Sequence, residues 1–327
     1  MAEGMASRKV HGIQRVLVKI DNAIKNENFY EAHQMYKTLY FRYLTQKRYS
    51  ELLDLLYDGA NLLIQHKQDT SGADLANLYV EVLVKSDTKP DEEVMTKISN
   101  LLSILNPELP ERENFLYSAV RWSSTPEHKL GHPKLHQMIA QVFWKEKNYT
   151  LARRHFLRSC DGSGFGSMLV EVHQSSGYSS EVDLFIVQVV LQCLCLRNKA
   201  MAVITFECYT TEHPYIEGPP YLLPLLNFIS FLLKAVESGA LSAFTVLCEE
   251  YALSLKRDPS YLDYLEKIGQ IFFGLPASRR QPRSLFGNLF QSILNGLGDS
   301  SSETETEGGG GDQPKSDSRQ VTESELD

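Results

Sequence analysis

Apolar residues along most of the chain recur at three- and four-residue intervals. Ile13, Val16, Leu17, Ile20 and Ile24 share one helix face, Tyr36, Leu39, Tyr40 and Tyr43 a second, and Leu52, Leu55, Leu56, Ala60 and Leu63 a third. This is the period of amphipathic helices. Three segments carry a more particular pattern: Phe29-Tyr30-Glu31-Ala32 with Tyr36, Tyr49-Ser50-Glu51-Leu52 with Leu56, and Tyr149-Thr150-Leu151-Ala152 with Phe156. An aromatic opens the helix, a small or aliphatic residue follows at +3, and a large apolar residue follows at +7. Each segment comes directly after a polar hinge: Asn26-Glu27-Asn28, Lys47-Arg48 and Lys147-Asn148. Helix pairs of stacked α-repeat proteins are built this way, the aromatic filling the gap and the small residue permitting close approach.

The punctuation agrees. Asp69-Thr70-Ser71 reads as capping for a helix over 73–85. Pro90-Asp91-Glu92-Glu93, Pro110-Glu111-Arg112 and Pro133 open further helices, with proline and acids suited to a helix N-terminus. Helical periodicity continues over 149–158, 166–174, 180–196, 200–212, 222–237, 241–253 and 258–273. The spacing is irregular: Phe29 and Tyr49 are 20 residues apart, whereas Tyr149 lies a hundred further on. The expected fold is therefore all-α, a right-handed superhelical α-solenoid of degenerate TPR-like helix pairs. Its one interruption is a short loop or hairpin excursion near 210–224, where His213-Pro214, Gly218-Pro219-Pro220 and Pro224 exclude a helix.

The expected organisation follows. Residues 1–9 form a flexible N-terminus, 10–160 an N-terminal half and 161–275 a C-terminal half that meets it near the 159–166 loop. Residues 276–298 form a hinge (Pro276, Arg279, Arg280, Pro282, Arg283) and an amphipathic terminal helix. Its apolar face is Leu285, Phe286, Leu289, Phe290, Ile293, Leu294 and Leu297. Three roles are open to that helix: a cap on the array, insertion into a partner's groove, or a membrane-surface contact. Its polar face of Gly, Asn, Gln and Ser lacks the Lys and Arg usual for the last. Residues 299–327, rich in Ser, Glu and Gly without aromatics, are expected to be disordered.

Composition changes the picture in three ways. Apolar residues make up 43 % of the 327, ample for a large core, yet no apolar run approaches the roughly 18 residues of a membrane span. Asp183, Gln188, Gln192, Asn227 and Lys234 break the two longest. Residues 1–9 lack the apolar segment of a secretory signal. The cysteines at 160, 193, 195, 208 and 248 are odd in number and include no CxxC, which reads as reduced thiols in a cytosolic protein. Charge is polarised: residues 1–50 have net charge +5, 51–298 have −6 and 299–327 have −7. Arg15, Lys19 and Lys25 on the first helix and Arg42 on the second predict a docking face for an acidic protein partner. Overall acidity and the absence of a reader motif argue against nucleic acid.

Candidate chemistry is sparse. His128, His132 and His136 stand at i, i+4 and i+8, a spacing that could align metal ligands. Gly131 and Pro133, however, place the helix start after His132, so capping and packing are expected. Asp161-Gly162-Ser163-Gly164-Phe165-Gly166 lacks the preceding strand and following Lys-Ser/Thr of a phosphate loop and reads as a helix–helix connection. Cys193 and Cys195 point about 200° apart on a helix. No GxSxG, HExxH or kinase set occurs, so no enzyme activity, metal or cofactor is expected.

Several segments together carry a family resemblance. They are Tyr30-Glu31-Ala32-His33-Gln34-Met35-Tyr36-Lys37-Thr38-Leu39, Ser71-Gly72-Ala73-Asp74-Leu75, Gly131-His132-Pro133-Lys134-Leu135-His136-Gln137, Glu217-Gly218-Pro219-Pro220, Asn227-Phe228-Ile229 and Ile268-Gly269-Gln270-Ile271-Phe272-Phe273-Gly274. In these the chain resembles an animal member of the Golgi to ER traffic protein 4 family over nearly its whole length. The resemblance implies a non-catalytic cytosolic adaptor in delivery of tail-anchored membrane proteins to the ER. The N-terminal half of such proteins docks on the targeting ATPase. The C-terminal half, with its projecting hairpin, clamps a ubiquitin-like-domain protein in fungi. In animals it clamps the large proline-rich scaffold chaperone of the BAG family, covering its nuclear import signal. Glu217, Pro219, Pro220 and Tyr221, with Phe228, Phe272 and Phe273, are the expected C-terminal contacts. No stable membrane insertion is expected. The alternative is a membrane-associated solenoid coat or tether subunit, and the 285–297 helix separates the two.

Overall fold

Among the described residues one turn is used six times. Glu27, Lys47, Lys67, Asp87, Lys147 and Arg197 each adopt φ between 52° and 62° after the last turn of a helix. The next residue then donates its N–H back across the helix end: Asn28 to Ala23, Arg48 to Tyr43, Gln68 to Leu63, Thr88 to Leu83, Asn148 to Phe143 and Asn198 to Cys193, at 2.8–3.1 Å. This left-handed cap satisfies carbonyls that the helix leaves open. In five of the six the donor is itself the N-cap of the following helix. The residue four further on (Ala32, Leu52, Gly72, Ala152 or Ala202) is buried where the two helices meet.

The computed structural model describes the backbone of residues 2–276 and the side chains of 13–276. The helices are α1 (Ala2–Lys25), α2 (Phe29–Thr45), α3 (Tyr49–Gln65), α4 (Asp69–Lys85), α5 (Glu92–Ile104), α6 (Pro110–Trp122), α7 (Pro133–Lys145), α8 (Tyr149–Phe156), α9 (Gly162–Ser176), α10 (Val182–Cys195), α11 (Lys199–Glu212), α12 (Pro224–Ser238), α13 (Leu241–Glu250), α14 (Ala252–Leu255) and α15 (Ser260–Phe273). No strand occurs among the described residues. The expected break at residue 10 does not interrupt α1. The hinge from 277, the amphipathic segment 285–297 and the tail 299–327 lie outside the described residues.

Helices α2, α3 and α4 have 17 residues each, so with three-residue turns they repeat every 20. The third copy starts at Asp69, one turn before the helix start that the capping signal predicts, because Asp69 stands where Phe29 and Tyr49 stand in the others. Lys67 is exposed in the left-handed region, where a side chain costs about 1–2 kcal/mol. Lys67→Gly is therefore expected to stabilise the fold by about 0.5–1 kcal/mol after the extra unfolded-state entropy of glycine. A thermal midpoint raised by roughly 1–3 °C checks this; a fall would mean that the lysine side chain contributes more than its backbone costs.

Stacking joins α3 to α4, α4 to α6, α5 to α7, α9 to α11 and α10 to both α11 and α15. Tyr79, Phe115, Phe156, Phe165, Tyr209 and Phe244 are among the largest fully buried side chains. Phe156 of α8 stacks on Phe165 of α9 at 5.3 Å, so the packed core passes through residue 160 without a gap. The glycine run there is not a loop. α9 begins at Gly162, four residues before its predicted start, and Asp161 caps it by accepting the Gly164 N–H at 2.8 Å. A Cβ on Gly166 would lie 2.8 Å from Cys208 Cβ and 3.1 Å from the Thr205 carbonyl. The glycines thus set the close α9–α11 approach. Gly166→Ala is expected to cost about 1–3 kcal/mol, because the obstacles are a Cβ and a backbone oxygen rather than a flexible tip. An unchanged denaturation midpoint would show that the two helices separate freely.

Candidate partner-binding faces

The first face lies on α1 and α2. Ile13, Ile20 and Ala23 are buried, whereas Arg15, Lys19 and Lys25 are exposed. At 100° per residue Arg15 and Lys19 project about 40° apart and Lys25 about 80° to the other side of Arg15. The three cations therefore spread over the outer face instead of forming one point charge. Arg42 is exposed on α2 beside Phe41, which is 62 % exposed. Among the described residues none of the four is in an ion pair. Lys37 by contrast is neutralised by Asp74 at 3.2 Å and Lys85 by Glu81 at 2.5 Å. Lys25 has a second role, since it occupies the last turn of α1 and complements the negative end of the helix dipole.

The second face surrounds the excursion, residues 213–223. It is an irregular loop, not a hairpin. Glu217, Gly218, Pro219 and Pro220 form its exposed tip. Gly218 has φ +137° and a Cβ there would meet the Pro220 carbonyl at 2.7 Å, so the tip requires glycine. Asn227 of α12 secures the far end: it accepts the Tyr221 N–H at 2.9 Å and donates to the Tyr221 carbonyl at 2.6 Å. The Tyr221 ring stands edge-on to Phe206 at 5.9 Å. It lines two grooves at once. One, of about 330 Å³, lies against Val182, Tyr215, Leu222 and Leu226. The other, of about 710 Å³, runs between α11 and α12 past Ile204, Phe206, Leu233 and Lys199.

Of the expected C-terminal contacts, Glu217, Pro219, Pro220 and Tyr221 come together. Phe228 does not belong with them. It is fully buried against Tyr251, at 5.6 Å, and supports α12 from inside, so it meets no partner. Phe273 is half-buried and stacks on Phe244 at 4.6 Å, holding α15 to α13. Phe272 is half-buried beneath the Lys199 ammonium at 5.6 Å, and Lys199 itself lines the larger groove. Sequence reasoning missed Asn227 as an anchor, the exposed Tyr215 and Leu222, and a groove of about 1110 Å³ beside α4 and α6 that includes Val84, Tyr117 and Trp122. None of these has a periodic signal.

The other candidates resolve as structure. His132 caps α7, its Nδ1 accepting the Lys134 N–H at 3.2 Å. His136 is buried, bonded to the Leu130 carbonyl at 2.9 Å and to His155 at 2.8 Å. Burial, with His136 adjacent, pushes His155 down to about 3, so it is neutral. No group of three or more His, Cys, Asp or Glu among the described residues could hold a metal ion. Burial pushes the Cys193 and Cys248 thiols up to about 12, leaving them protonated and unreactive. No described helix is long and apolar enough to cross a membrane.

Stacked helix pairs, exposed cations on α1 and α2 and a braced loop between apolar grooves at α11 and α12 define an all-helical repeat protein. A model of the family described as Golgi to ER traffic protein 4 matches residues 46–294, and the chain belongs to that family. The Golgi to ER traffic protein 4 homolog of Oryzias latipes is 50 % identical over 287 residues, covering 88 % of each chain. The homolog of Homo sapiens is 48 % identical over 285 residues, 86 % of this chain and 87 % of its own. The crystal structure of C. therm. Get4 superposes with a TM-score of 0.75 over 90 % of this chain and all of that one; at 24 % identity this likeness shows the shared fold.

Proposed function

We propose that the chain is a non-catalytic cytosolic adaptor in post-translational delivery of tail-anchored membrane proteins to the ER. Arg15, Lys19, Lys25 and Arg42 dock the targeting ATPase. The excursion tip, Tyr221 and the grooves beside it hold the large proline-rich BAG-family scaffold, together with the ubiquitin-like-domain adaptor, and help keep that scaffold in the cytosol. The observation that carries this reading is the pairing, on one family fold, of un-neutralised cations at α1 and α2 with a pre-braced apolar face at α11 and α12. Opposite surface chemistries suit two different partners, and so a bridge. The test is affinity capture from cytosol with the wild-type chain, a variant altered only at Arg15 and Lys19, and one altered only at the tip. Each variant should lose one partner and keep the other. Loss of both from either variant would mean a single shared interface. Flotation of the purified chain with anionic vesicles would favour a coat or tether instead.

A further inference from the structure

The near end of the excursion is secured by two buried histidines that the reading above leaves without a role. His173, near the end of α9, is 3 % exposed, and His213, first residue of the excursion, is 2 % exposed. The Tyr215 N–H reaches His213 Nδ1 at 3.2 Å. His213 Nε2 lies 2.9 Å from His173 Nδ1, and His173 Nε2 lies 3.0 Å from the Tyr178 carbonyl. Both ends of this chain are backbone groups of fixed character: an amide N–H can only donate and a carbonyl can only accept. One proton arrangement therefore satisfies all three bonds, with each ring neutral and protonated on Nε2. The bonds run in one direction from Tyr215 through His213 and His173 to Tyr178.

Among the described residues neither ring is hydrogen-bonded or ion-paired to an acid. The rings against the pair are Tyr209 of α11 at 5.2 Å, Tyr215 of the excursion at 5.6 Å and Phe185 of α10 at 5.3 Å. Of the acids of the adjoining elements, Glu207 and Glu217 are exposed, and Glu171 accepts from Lys147 and Tyr149. Glu181 accepts the Tyr178 N–H, Asp183 pairs with Arg257, and Glu212 accepts from Ser167. A proton added to His213 Nδ1 would confront the Tyr215 N–H, and one added to His173 Nδ1 would confront the His213 Nε2–H.

We propose that the His173–His213 pair is the positioning element that presents the excursion tip to the C-terminal partner, and that protonating His213 withdraws the tip. The proposal rests on the reading of the tip as that partner's contact. Burial, then the neighbouring His173, pushes His213 down from 6.5 to about 4. The sign follows: the chain of bonds is complete at neutral pH and is lost as pH falls through about 4.

Two substitutions divide the links. His213→Asn keeps an acceptor where Nδ1 was, and so keeps Tyr215. His213→Gln keeps a donor where Nε2 was, and so keeps His173 but frees Tyr215. The readouts are hydrogen exchange at the Tyr215 amide, affinity for the purified proline-rich scaffold, and the thermal midpoint. H213Q is expected to expose the amide and weaken binding roughly threefold to tenfold, while H213N keeps the amide protected but, lacking the link to His173, recovers only part of that affinity; wild-type affinity in H213N would make His173 dispensable and overturn the role of the pair. Equal weakening by both variants would leave the pair only a packing role and overturn the proposal, as would an exposed amide with unchanged affinity. Should H213Q not fold, the wild-type chain provides the same test. Between about pH 6 and pH 4 exchange at Tyr215 must rise relative to Tyr221, whose anchor Asn227 does not titrate; a constant ratio overturns the proposal. Deleting 217–220 separates the two claims. If deletion abolishes scaffold binding and H213Q leaves it unchanged, positioning by the pair is wrong and the tip contact stands. If deletion leaves binding intact, the tip contact is wrong and the proposal falls with it.

Discussion

Reversing Arg15 and Lys19 to glutamate is expected to slow association with the targeting ATPase by roughly a hundredfold at low ionic strength, and to flatten its salt dependence. Both side chains are exposed, and neither is ion-paired among the described residues. Each reversal changes the local charge by two units on a face that the sequence already makes positive. Steering of this kind acts over about 10 Å at 0.1 M salt, so the effect should shrink as salt rises. Stability is the control. The two residues lie outside the buried Ile13–Ile20–Ala23 stripe, and exposed surface substitutions usually stay within about 0.5 kcal/mol. Lys25 is left alone, because its place at the end of α1 would mix a helix-dipole cost into the result. Stopped-flow association at two salt concentrations decides. Equal rates at low salt would put the ATPase on another surface, such as the groove beside α4 and α6.

The helical array was legible because its signals are local. A proline at the first helical position opens α6 and α7, and an aromatic opens α2, α3 and α8. The polar hinges predicted the turns, although nothing in single residues announced the left-handed geometry, since Lys, Glu, Asp and Arg all serve there. Two helix starts were read late for one shared reason. Asp69 and the Asp161-Gly162 step look like loop or capping material, and only packing against α11 explains why glycines continue inside α9. The family resemblance, carried by six scattered segments, agrees with the family match.

The faces were less legible, because contacts between residues distant in sequence leave no periodic trace. Periodicity places Phe228 on the apolar stripe of α12 but cannot tell that the stripe faces Tyr251 and the interior. Asn227 looked like an interruption of an apolar run, yet it holds Tyr221 six residues away by two bonds. The histidine pairs join positions 19 and 40 residues apart, and neither pairing has a signal in the sequence. The exposure of Arg15, Lys19, Lys25 and Arg42 was easier to read, since the excess of positive charge over residues 1–50 favours solvent by itself.

Deleting 217–220 is expected to leave the helices folded and to reduce scaffold binding by more than tenfold, roughly the loss of one well-placed anchor region. The excursion is tied at Tyr215 by His213 and at Tyr221 by Asn227, so the deletion removes only what projects between two secured points. Loop-closure entropy changes slowly with length, by about 0.6 kcal/mol per doubling, so little stability should be lost. Binding has more to lose. Two consecutive prolines fix φ at the tip, and a segment already ordered spends little entropy on a partner. Replacing the four residues by Gly-Ser-Gly-Ser restores length without that order and should recover only part of the affinity. Thermal unfolding and capture of the scaffold, measured on the same preparations, give both answers. A stable deletion variant that still binds would make the excursion a mere connector. The scaffold contact would then rest on the α11–α12 groove, where Ile204, Phe206 and Leu233 become the residues to change.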